Sequence, residues 1–122
     1  MDKEKAEVMS VFKGMKKLAD SRNAKLLIII IPTDFQIHEI SWIKYRLPIP
    51  LLYSDRSYPD RQFGEWFKEA GIDYVDLLPA FMAHQDQLTY FPLDDHWNTA
   101  GHSIAAETLM PILTHMLTSY PP

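Results

Sequence analysis

The run "KLLIIIIP", Lys25 to Pro32, constrains this chain more than any other stretch. It is apolar after its first residue, rich in β-branched side chains and bounded by a turn and a proline. Runs without polar alternation are typical of parallel strands covered on both faces. At roughly 25 cal/mol per Å² of apolar surface, leaving such a strand half exposed costs several kcal/mol. The rest of the chain is therefore expected to supply cover for each side.

Helical patterns flank it. Val8, Val11, Phe12, Met15, Leu18 and Ala19 recur with the helical period and predict one core-facing stripe, which "DSRNA" then interrupts. "DRQFGEWFKEAG" predicts a second helix with Phe63, Trp66, Phe67 and Ala70 inward and Gly71 as its stop. "IDYVDLLPAF" reads as a second strand with Asp76 at its carboxyl end, where it ends the strand or caps the loop after it. A last helix begins near Asn98 and runs through Ala105, Leu109, Ile112 and Met116, with Pro111 expected to kink or divide it. Between Thr33 and Pro59 no clear period holds; Ile40, Trp42 and Ile43 suggest a short helix, and the stretch reads as a covering lid.

Strands alternating with helices imply an α/β fold with a parallel sheet and right-handed crossovers. Two legible strands are too few for a sheet that stands alone. Residues 1–122 are thus expected to form a single, incomplete domain.

Composition narrows the function classes. An apolar content of 47% and a charged content of 23% are those of a globular chain. The net charge of −4 is spread out, and Lys13, Lys16 and Lys17 are expected on the wet side of the first helix, which argues against a nucleic-acid partner. Without cysteine there are no disulfides or thiolate metal sites. The charged "MDKEKAEVMS" is no signal peptide, and the apolar run Leu26 to Pro32 is too short to cross a bilayer, so localisation stays unassigned.

Chemistry concentrates in "FPLDDHWNTAGH", Phe91 to His102. A neutral imidazole can take a proton from a hydroxyl and return it to a leaving group. It needs a carboxylate to fix its tautomer, and Asp94 or Asp95 can supply one to His96. Asn98 is suited to cap the helix that follows, and Gly101 permits close approach in its first turn. The segment reads as a rigid loop aiming His96 at a site above the strand ends, the edge where α/β sheets bind ligands. Asp94, Asp95, His96 and His102 signal a metal only weakly, and neither metal nor cofactor is expected. His102 reads as structural, and His38, His84 and His115 as surface residues.

"LTYFPLDDHWNTAGHSIAAETL" resembles the last sequence block of SGNH/GDSL hydrolases, "AKLLIIIIPTDFQ" a late strand of that family, and "GIDYVDLLPAF" the next one. The resemblance covers nearly the whole chain but only the C-terminal part of the family's domain. It implies a partial flavodoxin-like three-layer α/β/α fold with parallel strands. It also implies an esterase or acyl-ester hydrolase with a Ser-His-Asp triad, acting on a small-molecule or carbohydrate ester. His96 matches the catalytic base, and Asp94 the acid in branches spelled Asp-x-His-Trp, with Asp95 the other choice. Many relatives place the acid three residues before the histidine, where this chain has Leu93.

The nucleophile is missing. None of the four glycines is followed by Asp-Ser, and neither Asn23 nor Asn98 is followed by Asp, so the Gly-Asp-Ser and Gly-x-Asn-Asp blocks are absent. A related branch, the alginate-acetyltransferase type, puts its serine after the Asp-x-His-Trp block. Here one helix and a short tail follow, and Ser103 and Ser119 are poorly placed. Ser54 and Ser57 lie on no strand-to-helix turn that would expose a nucleophile. The chain alone is thus expected to be inactive or weakly active. The alternative is a non-catalytic module that covers an exposed sheet edge as a homodimer or with a partner chain.

Overall fold

The structure is a computed structural model that describes residues 2–39, 41, 55–92 and 94–119. Helix α1 spans Asp2–Ser21. It ends where "DSRNA" predicts: Asn23 takes a left-handed φ of 53°, and the Ala24 and Asn23 amides return to the Ala19 and Asp20 carbonyls at 2.9 and 3.1 Å. That reverse turn satisfies two of the last carbonyls of the helix.

Strand β1, Leu27–Ile30, pairs in parallel with β2, Asp73–Asp76, in a register running from Leu27 opposite Asp73 to Ile30 opposite Asp76. Among the described residues these are the two strands of one sheet. Short helix α2, Asp34–Ile37, follows β1, and α3, Tyr58–Glu69, leads into β2. Gly71, at φ 63°, stops α3, with the Ile72 amide on the Phe67 carbonyl at 2.9 Å. Helix α4, Leu78–Met82, follows β2, and α5, Thr99–Thr118, closes the described chain.

Two apolar clusters flank the sheet. On one side Met9, Phe67 and Ile72 are buried, with Phe12, Ile28, Ile30 and Phe63 packed against them. On the other, Ile37, Leu77, Leu78, Phe81, Tyr90, Ile104 and Ala105 are buried, with Val75 from β2 against them. Helices α1 and α3 thus form one outer layer and α4 and α5 the other, around a small parallel sheet.

Three expectations change. The stripe that anchors α1 is only partly the one periodicity suggested: Phe12 and Ala19 are half-buried, Phe12 against Phe67, but Met9, outside that stripe, is buried, while Val8, Val11, Met15 and Leu18 are exposed. The strand is not covered throughout, since Ile29 and Ile31 are 38% and 58% exposed. Of the two outcomes expected at Pro111, division does not occur: helix α5 continues through it. The carbonyl that loses its donor there belongs to Glu107, and both residues are exposed, so water can replace the missing bond. The short helix expected at Ile40, Trp42 and Ile43 lies outside the described residues. Among the described residues no helix is long and apolar enough to cross a membrane.

Candidate active site

The Asp-x-His stretch sits between a β-bridge and a helix start. Tyr90 and Trp97 form an antiparallel bridge, and the Phe91 amide donates to the His96 carbonyl at 3.0 Å, closing a short hairpin-like loop. At its exit Asn98 caps α5, its side chain accepting from the Gly101 amide at 3.1 Å. The same side chain donates to the Leu88 carbonyl at 2.8 Å, and the Asn98 amide to that of Thr89 at 3.0 Å. A Cβ on Gly101 would lie 2.4 Å from the Thr89 carbonyl oxygen. Only glycine lets the first turn of α5 come this close to the 88–90 segment.

A buried relay fixes the loop to the sheet. The Trp97 indole donates to the Tyr90 hydroxyl at 2.8 Å, and that hydroxyl donates to the Pro32 carbonyl just beyond β1. Burial, with the carboxylates of Asp34 and Asp95 adding to it, pushes the Tyr90 phenol up to about 12 against the opposing Trp97 bond. Tyr90 therefore stays protonated and remains a donor. The relay thus ties Tyr90 and Trp97, on either side of the loop, to the segment just after β1.

Within the loop, Asp94 Oδ1 accepts from the His96 backbone amide at 3.1 Å and also contacts His96 Nδ1. A carboxylate can only accept, so Nδ1 carries the proton, and in the neutral ring Nε2 keeps a lone pair. The His96 side chain is 84% exposed, and among the described residues Nε2 has no protein partner. The hydrogen bond and charge of Asp94, with a smaller contribution from Asp95, hold His96 above the ordinary imidazole range, against slight desolvation. The His96 hydrogen bond likewise holds Asp94 below the usual carboxylate range. Asp95 is exposed and acts on His96 through charge.

The other candidates are dispersed. His102 is exposed and meets Trp97 edge-on at 5.6 Å. Asp76, the last residue of β2, accepts from the Leu78 amide at 2.9 Å in the turn between strand and α4. Ser57 donates to Asp55 at 2.6 Å, and Ser103 and Ser119 are exposed on or just beyond α5. None of these three hydroxyls hydrogen-bonds to His96, and Ser54 and Leu93 lie outside the described residues. Among the described residues no cluster of three or more acidic, histidine or cysteine side chains could hold a metal.

His84 and His115 are exposed, but His38 is not a surface residue. It is 8% exposed, with Nδ1 on Asp34 at 2.5 Å and Nε2 on the Gln87 carbonyl at 3.0 Å. Ser41 donates to the second oxygen of Asp34 at 2.5 Å. The spacing of Asp34 and His38, one helical turn, was the available signal for this pair. With both ring nitrogens engaged, His38 is a structural clamp between α2 and the segment before the Asp-x-His loop.

A family model described as an SGNH hydrolase-like domain of the acetyltransferase AlgX matches residues 2–119. Neither a curated protein nor a solved structure matches the chain. The match spans both strands, both helical layers and the loop that carries His96. The chain accordingly belongs to the SGNH hydrolase-like domain family of the AlgX type.

Proposed function

We propose that this segment supplies the general-base half of an acyl-ester catalyst, with acetyl esters as the substrate class and hydrolysis or transfer to a carbohydrate hydroxyl as the outcome. One observation carries the reading. Asp94 engages both the amide and Nδ1 of His96 and leaves Nε2 open to solvent. Nε2 would accept the proton of a serine hydroxyl as its oxygen attacks the ester carbonyl, and return it to the departing alcohol. Asp94 would hold the tautomer and stabilise the imidazolium. The description of the matched family favours the acetyl group.

The serine and the oxyanion donors would come from a part of the domain outside these residues. The chain by itself should then hydrolyse a nitrophenyl acetate at background rate, and His96→Ala should change nothing. Joining it to a serine-bearing SGNH half should produce turnover that His96→Ala abolishes. Robust turnover by the isolated chain, lost on His96→Ala, would overturn the division of labour. Turnover in the joined form that survives His96→Ala would overturn the role of His96.

A second reading has its own support. The exposed Ile29 and Ile31 of the β1 region suit a non-catalytic module that completes its sheet with another chain. Loss of self-association in Ile29→Lys, with His96→Ala silent throughout, would favour it.

A further inference from the structure

We propose that α1 is a self-association surface through which two copies of this chain pair as antiparallel helices. This rests on neither the catalytic reading nor the sheet edge. Helix α1 turns Lys5, Met9, Phe12, Lys16 and Ala19 toward its own domain, where each is buried or half-buried. One residue round, about 100° away on the helix, runs a second apolar stripe of Val8, Val11, Met15 and Leu18. These are 37%, 62%, 44% and 52% exposed. Their spacing alternates three and four residues, the pattern of a seam between two helices.

The ends of the stripe select the partner. Glu4 lies one turn before Val8, and Arg22 four residues after Leu18 in the turn that directly follows α1; both are exposed. In an antiparallel pair centred between Val11 and Met15, Val8 meets Leu18 of the second copy and Val11 meets its Met15. Glu4 then meets Arg22 at both ends. A parallel pair would set Glu4 against Glu4 and Arg22 against Arg22. The helix whose charge order complements α1 is therefore α1 itself, reversed. The seam is short, so association is weak and concentration-dependent.

Sedimentation velocity over a concentration series tests this, with circular dichroism to confirm that each variant stays folded. The chain should show a monomer–dimer equilibrium. Val11→Glu should weaken it by at least about tenfold, because the seam would then bury an unpaired charge. Glu4→Arg and Arg22→Glu should each weaken it, and the double reversal should restore it, while Ile29→Lys should leave it intact. A chain that stays monomeric at every concentration, because something else covers the stripe, overturns the proposal. So does a dimer indifferent to Val11→Glu, a double reversal without rescue, or a dimer abolished by Ile29→Lys.

Discussion

The Tyr90 hydroxyl links Trp97, which donates to it at 2.8 Å, to the Pro32 carbonyl at the end of β1, and so joins the candidate catalytic loop to the sheet. Removing that oxygen should leave the indole N–H and the carbonyl without their partner in a site where Tyr90 is 3% exposed. Tyr90→Phe is therefore expected to lower stability by about 1–3 kcal/mol. Urea unfolding measures the loss. The Asp94–His96 contact is local and should survive, so the His96 titration should move little in the same variant.

Gly101 makes a sharper prediction. A methyl group there would stand 2.4 Å from the Thr89 carbonyl oxygen and 3.0 Å from Trp97 Cβ. The first neighbour is backbone, already held by the Asn98 amide, and cannot rotate away. Gly101→Ala should cost about 2 kcal/mol or more through overpacking, although alanine favours helix more than glycine does. A midpoint shift in urea at constant m value would show it. A variant as stable as the parent would mean that the close approach is absent in solution.

What was legible in the sequence and what was not divides by chain separation. Asp94 and His96 lie two residues apart and Asn98 and Gly101 three apart, so a turn and a helix start suffice to bring each pair together. The stop signals at Asn23 and Gly71 are equally local. Tyr90 reaches Pro32 across 58 residues and His38 reaches Gln87 across 49, and no local pattern announces either contact. The inward face of α1 belongs to the same class. Both of its apolar stripes obey the helical period, and the choice between them was made by Phe67, on a helix distant in the chain. Strand β1 was legible because a continuous apolar run needs no partner to be recognised. The partial cover of β1 was not, since it depends on what packs above Ile29.

The Asp94–His96 pair should make the base pH-dependent in a stated direction. Asp94 raises the folded His96 above its ordinary value near 6.5. The neutral base form therefore appears only at higher pH than in a free imidazole. The pair's contribution to stability is present below the unfolded histidine value and is lost as pH rises through the folded one. Asp94 is depressed from 3.8, so its share is present above that value and is lost as pH falls through the folded one. Asp94→Asn should bring the His96 titration down toward the free value, and Asp95→Asn should lower it by less. Proton NMR of the ring Cε1–H follows both. An Asp94→Asn variant with an unmoved His96 titration would remove the basis for assigning Asp94 as the orienting acid.

Asp60 carries the opposite sign. It is 3% exposed at the start of α3, where Gln36 Nε2 donates to its Oδ2 and also to the Arg56 carbonyl at 2.9 Å. Burial raises its carboxyl above 3.8, and the charge of Asp76 raises it further, against the Gln36 hydrogen bond. An unfolded chain then releases this proton before the folded one does. Stability is therefore lost as pH rises from 3.8 through the folded value. Asp60→Asn keeps an oxygen for Gln36 to bond while removing the buried charge. The variant should match the parent in strong acid and be the more stable of the two at neutral pH, by a margin that opens across that window. Thermal unfolding at a series of pH values measures the margin. A gap that closes toward neutral pH would mean that the Asp60 carboxylate is stabilised where it stands.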